Sequence, residues 1–244
     1  MSAVESETPE QENELPQSED WNQVEKVILE RRSVRIYKDK QVPENLLRRI
    51  LEAGRYAPSQ GNFQPWRFIV IRDRDIIDEM EKDIRRMCKV LKTLFVWESS
   101  PLGAVSRYIA KASIWLLPNM MHPMPFALTE YIAEGRSKVF HDPPTVILIL
   151  KDKRGAGRPE VDIGICGQNI VLAAHSHGLG TCWVGYAMLL NRIPKWKKRL
   201  GIEYPYEVSE GISIGYPVGN PDGMVPRETN QVKWFENGTM KVMV

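Results

Sequence analysis

Apolar side chains at Trp21, Val24, Val27 and Ile28 recur every three to four residues, the period of an amphipathic helix. Asp20, with Gln23 three residues on, predicts that helix's cap. A second stripe, Leu46, Leu47, Ile50 and Leu51, follows Pro43, which suits a helix's first turn because the N–H it lacks would go unused there. APSQGNFQPW then breaks the period with Pro, Gly and Asn and predicts a loop. WRFIVIR, Trp66 to Arg72, is an apolar run that predicts a strand buried on both faces, and residues 75 to 94 predict a third helix. PTVILILKD is a second strong strand, and VDIGICGQNIVLAAHSHGLG predicts a long buried helix closed by Gly178 in the left-handed conformation. TCWVGY resumes extended structure, RIPKWKKRLGI is a short basic amphipathic helix, VSEGISIGYPVG a strand, and RETNQVKWFENG an extended or partly helical C-terminal arm. Helices alternating with few strands make the class α+β around a small sheet.

Composition adds organisation. At 244 residues, 43% hydrophobic and 26% charged, the chain can build one large or two small cores. Its net charge of +2 conceals an asymmetry: the first twenty residues hold seven acids and no Lys or Arg, which leaves +9 on the rest. Residues 1–19 read as an acidic tail too poor in apolar groups to fold, and residues 20–244 as a single domain. Within it, residues 97–141, rich in proline and carrying Met120, Met121 and Met124, read as a variable lid of short helices and loops over a pocket. A basic body attracts anions: a phosphorylated cofactor, a nucleic acid or an acidic thioester. Three cysteines without a CxxC pair point to a reducing compartment, so a cytoplasmic location is expected. No apolar run approaches the roughly 18 residues needed to span a bilayer, and no secretory leader is evident.

Candidate chemistry concentrates in three places. In ERRSVRIYKDKQVP an extended chain would turn Arg31, Ser33 and Arg35 to one face, where guanidinium forks and a hydroxyl suit phosphate oxygens. The same arginines could equally face water and complement a helix dipole. In PSQGNFQPW, Asn62 by itself suits a local Asx turn. Gly185 by itself suits the end of a buried strand. GLGTCW puts Trp183 where a dinucleotide fingerprint needs its third glycine, and no Walker A motif occurs. His175 and His177 would diverge on a helix with no third ligand evident, so no metal is expected. No Ser or Cys nucleophile signature is present. Cys182 reads as a small buried hydrophobe, and Lys195, Lys197, Lys198 and Arg199 as a solvated helix face.

Taken in chain order, RRSVR, PSQGNFQPW, GLGTCWVG and the closing GYPVGNPDGMVPRETNQVKW resemble the nitroreductase family of flavoproteins, over about residues 22 to 236. The resemblance implies a nitroreductase-like α+β fold, a small mostly antiparallel sheet flanked by helices, in a homodimer that binds FMN between subunits. It implies that Arg31, Arg32, Ser33 and Arg35 hold the phosphate and ribityl chain, with Arg227 adding charge. Val225 stands where the family usually has a second cation, a lysine, near that arginine. Pro58, Ser59, Asn62 and Gln64 match positions that meet the flavin, and Trp183, Val184 and Gly185 match the loop against its central ring, where a backbone N–H meets N5.

The activity so implied is transfer of hydride from NAD(P)H, through flavin N5, to a small aromatic, quinone or nitro acceptor in a ping-pong cycle, with no catalytic side chain. Phe126 and Tyr131 are candidates to shape the acceptor site. Alternatives within the family are reductive dehalogenation, flavin fragmentation or a non-catalytic flavin carrier. Outside it stands a basic nucleic-acid module, which would interleave aromatic residues with its cations; around Arg31–Arg35 only Tyr37 qualifies. No nucleic-acid or membrane partner is expected.

Overall fold

A computed structural model describes residues 21–95, 124–154, 157–219, 227 and 230–243. The acidic tail, most of the expected lid and Val225 lie outside the described residues. The chain forms two compact units that divide between Arg31 and Arg32: the smaller takes the N-terminal residues through Arg31 together with the C-terminal segment, and the larger takes what lies between.

In the smaller unit, helix α1 spans Gln23–Glu30. Its cap is Asn22 rather than Asp20: the Asn22 Oδ1 accepts from the N–H groups of Val24 and Glu25 at 2.9 and 3.1 Å, and the Glu25 carboxylate accepts from the Asn22 N–H at 2.7 Å. This reciprocal capping box satisfies otherwise orphaned donors at both ends of the pair. The C-terminal arm is neither a single extended segment nor helical. It is a hairpin of β5 (Val232–Glu236) and β6 (Thr239–Met243), turned by Asn237 and Gly238 at φ +51° and +74°, the positive-φ pair that a tight type I′ turn requires.

The larger unit holds helices α2 (Glu44–Arg55), α3 (Arg74–Phe95), α4 (Met124–Ala133), α5 (Pro159–Ser176) and α6 (Pro194–Arg199), with strands β1 (Trp66–Ile71), β2 (Thr145–Asp152), β3 (Gly180–Val184) and β4 (Tyr206–Gly215). The strands pair antiparallel throughout in the order β1-β2-β4-β3. The fold is α+β, as its sequence pattern predicts.

Strand β2 sits inside the sheet and is buried on both faces. Val146, Leu148 and Leu150 join the cluster formed with α3 and α4, while Ile147 and Ile149 join the one formed with α2 and α5. β1 departs from expectation: although its sequence is as apolar, it is an edge strand and Arg67 between its buried ends is exposed. An apolar run alone does not distinguish an edge strand from a central one.

The basic helix α6 is also not simply solvated. The Lys195 Nζ donates to Glu79 and Asp83 of α3 at 2.6 and 2.8 Å, Arg199 pairs with Glu79, and the fully buried Trp196 donates its indole N–H to Asp83 at 3.0 Å. Hydrogen bonds from Lys195 and Arg199 hold the Glu79 carboxyl below its ordinary range.

Candidate functional site

The arginine run is extended where it enters the larger unit. Ser33 bridges Thr181 in parallel register, the Val34 N–H donates to the Thr181 carbonyl at 2.9 Å, and the Tyr37 hydroxyl donates to the Val34 carbonyl at 2.6 Å. Val34 is buried while Ser33 and Arg35 are exposed, so the two-residue alternation turns the hydroxyl and the guanidinium outward together. Gly180 makes this approach possible: a Cβ there would lie 2.6 Å from a Val34 methyl. From Thr181, β3 runs to Gly185, roughly 13 Å along the strand direction. Burial is the main influence raising the Tyr37 phenol's pKa, and the hydroxyl therefore stays neutral as the clasp on this segment.

The turn after α2 is strongly bent. Gly61, Asn62 and Gln64 have φ of +59°, +55° and +50°, a left-handed conformation that costs non-glycine residues energy and persists only where surroundings fix it. The Ser59 Oγ accepts from the Gln64 N–H at 2.9 Å, and the Asn62 Oδ1 accepts from the Gln64 side-chain amide at 2.9 Å. The local turn thus engages the Asn62 carbonyl and leaves its NH2 outside that bond. Pro58, Asn62 and Gln64 are exposed and Ser59 half-buried.

Helix α5 supports both this turn and β3. Its buried Asp162 accepts from the Gln60 N–H at 3.4 Å, and Trp183 lies against Gly167 one and a half turns further on. The two points are about 7.5 Å apart along the helix axis. Val184 is buried and Gly185 exposed; among the described residues beyond its chain neighbours, a Cβ on Gly185 would find nothing closer than the Glu210 Oε2 at 3.7 Å. The protein itself therefore does not demand a glycine there, and space remains over the backbone for something else.

Arg31 and Arg227 belong to the smaller unit. The Arg31 Nε is buried with no hydrogen-bond partner among the described residues, and Arg227 is exposed. Arg32 is half-buried. Tyr131 is 46% exposed, with the Arg136 guanidinium 4.2 Å from its ring centroid; the Phe126 side chain lies outside the described residues.

The sequence profile of the nitroreductase family matches residues 28–216. The chain belongs to that family. A 4-nitrobenzoate reductase of Nocardioides sp. is 27% identical over 196 residues, covering 78% of each chain. Iodotyrosine deiodinase 1 of Pongo abelii is 32% identical over 209 residues, which is 82% of this chain and 62% of that one. A crystal structure of a nitroreductase with bound FMN from Desulfitobacterium hafniense has a TM-score of 0.62 at 26% identity, covering 85% of this chain and 95% of the other.

In this nitroreductase-family chain several site neighbours carry no motif that sequence reasoning could use. Asp162 is a single acid in an apolar helix, and its task is visible only once the turn is folded against it. His141 and Asp142 both have positive φ, and burial followed by the charge of Arg35 pushes the His141 imidazole below its ordinary pKa, so it is neutral near pH 7. Gly167 did leave a signal: an isolated glycine inside a helical pattern marks close packing.

Proposed function

We propose that this chain is an FMN-dependent oxidoreductase that passes electrons from NAD(P)H to a small quinone or nitroaromatic acceptor, working as a homodimer. The observation that carries the reading is the family match over residues 28–216, in a fold shared with an FMN-bound nitroreductase. The residues fit the cofactor. The buried, unpartnered Nε of Arg31 is a donor suited to a phosphate oxygen, and the space over Gly185 suits a flat ring lying against backbone.

Bound flavin would supply the hydride chemistry at N5. Arg32, Ser33 and Arg35 would hold its phosphate and ribityl chain, a role the family's pattern gives also to Arg31 and Arg227. Pro58, Ser59, Asn62 and Gln64 would meet the pyrimidine edge, with the Asn62 NH2 as donor. Trp183 and Val184 would back the ring system, and the Gly185 N–H would point at N5. Fixed positive charge favours a reduced, anionic ring, and a donor and an acceptor that use one stacking place in turn give ping-pong kinetics.

The dimer is supported by apolar side chains left uncovered in one copy: Val161 and Ile165 on α5 at 50% and 36% exposure, and Trp234 and Phe235 on β5 at 54% and 76%. The visible absorption spectrum of the purified protein, identification of the released chromophore, and initial rates with NADH or NADPH against a quinone and a nitroaromatic test the reading. A yellow protein releasing FMN and giving parallel double-reciprocal lines is expected. A folded, colourless protein that takes up no FMN on titration would overturn it.

A further inference from the structure

We propose that Glu210 is the proton donor of this site, a carboxyl beside Gly185 that takes up a proton when a flavin covers that residue and gives it to the acceptor. The inference rests on the flavin reading above.

The placement follows from register. β3 pairs with β4 so that Val184 faces Gly211, and one step further along the antiparallel pair sets Gly185 opposite Glu210. Among the described residues, the flanking ones in the chain aside, the Glu210 Oε2 is the only atom within 4 Å of the position a Gly185 side chain would take. A carboxyl therefore borders the same open space that the backbone of Gly185 borders. Glu210 is half-buried, and its carboxyl has neither an ion pair nor a hydrogen bond among the described residues. An acid in a sheet with no partner costs folding energy when ionised, which favours its neutral form.

Titratable groups on the flanking elements are engaged elsewhere. Lys151 pairs with Glu207 at 3.3 Å and with Glu160 at 2.6 Å, Asp152 binds Arg154 at 2.8 Å, and the Tyr186 hydroxyl bonds Thr129 at 2.7 Å. Burial is the sole influence raising the Glu210 pKa, with no described charge acting on it. A ring laid over Gly185 removes more water from the same carboxyl and moves it further in that direction.

The chemistry balances for a quinone. Its reduction to the hydroquinone takes one hydride and one proton. The electron pair originates in the nicotinamide cofactor and arrives by way of the flavin; the proton passes from the Glu210 carboxyl to a quinone oxygen, and water returns a proton to the carboxylate left behind. A carboxyl whose pKa is raised by burial is suited to this step, because loss of water favours its protonated form.

The test is proton uptake on cofactor binding. The full chain, stripped of flavin, is titrated with FMN in weakly buffered solution near neutrality with a pH indicator, beside Glu210→Gln. The phosphate of FMN titrates in the same range, so the difference between the two proteins is the readout. Wild type is expected to take up more protons per FMN than Glu210→Gln, by a fraction approaching about one, with both proteins reaching saturation. Its kcat with a quinone is expected to fall as pH rises, a limb absent from the variant. Infrared difference spectra of wild type alone should show a protonated-carboxyl band appearing with FMN. That measurement decides the matter even where the variant does not fold. Equal uptake in the two proteins, or no such band, overturns the role of Glu210 and leaves the flavin reading standing. Failure of folded wild type to bind FMN overturns both.

Discussion

The indole of Trp183 fills the space that a side chain on Gly167 would need: a Cβ built there would lie 2.1 Å from the Trp183 Cη2. Contact at that distance cannot exist, so the glycine in α5 and the tryptophan in β3 fit only as a pair. Gly167→Ala must push the indole aside, at a cost of about 1–3 kcal/mol for an overpacked core. Thermal unfolding should register that loss. Flavin retention should fall with it, because Trp183 stands two residues before Gly185.

Gly185→Ala separates stability from binding. The added methyl would meet only the Glu210 Oε2 at an ordinary 3.7 Å, so flavin-free protein should unfold within about 0.5 kcal/mol of wild type. FMN affinity, followed by fluorescence quenching of the flavin, should drop at least about tenfold, because the ring would meet a methyl group where it requires backbone. Unchanged affinity would remove Gly185 from the site.

Arg31→Ala tests the phosphate assignment from the other side. A charged hydrogen bond is worth about 1.5–3 kcal/mol, so the FMN dissociation constant should rise by roughly 10- to 150-fold. Stability without FMN should hold or improve, since the Arg31 Nε is buried without a partner. A loss of stability with unchanged FMN binding would make Arg31 a structural residue.

Acid should loosen the clamp between α3 and α6. The Glu79 carboxyl is held below its ordinary value of 4.5 by hydrogen bonds from Lys195 and Arg199. A depressed folded-state pKa gives a contribution that is fully present above the unfolded value and lost as pH falls through the folded one. Denaturant unfolding followed from neutrality into the acid range should show stability declining below about pH 4.5, with a shallower decline in Glu79→Gln.

Trp234→Ser with Phe235→Ser tests assembly. If the hairpin's apolar face is covered by a second copy, sedimentation should find the double variant monomeric and poor in flavin, with helix and strand content by circular dichroism unchanged. A dimer of undiminished affinity would place the interface elsewhere.

The sheet and most helices were legible because their spacing is decided locally. PTVILILKD reads as a strong strand and forms β2, and Gly178, placed after His177 as a terminator, has φ +72°. What failed depended on partners distant in sequence. Trp66–Ile71 looked central and is an edge, since nothing in six residues records what lies on either side of them. The basic face of α6 looked solvated because its acids, Glu79 and Asp83, lie more than a hundred positions earlier. The hairpin has a local signal in Asn237-Gly238, the tight-turn pair that ends RETNQVKWFENG. At the candidate site, Asp162 beneath the turn speaks only through tertiary contact, and Gly167 leaves only the signal of a glycine inside a helical pattern.

Because Gln60 hangs from Asp162 while Trp183 rests on Gly167, one helix underlies both a turn and a strand. A shift of that helix would displace the two together. Substitutions tolerated here should therefore gather in segments that do not lean on α5, the common footing of the turn and the strand.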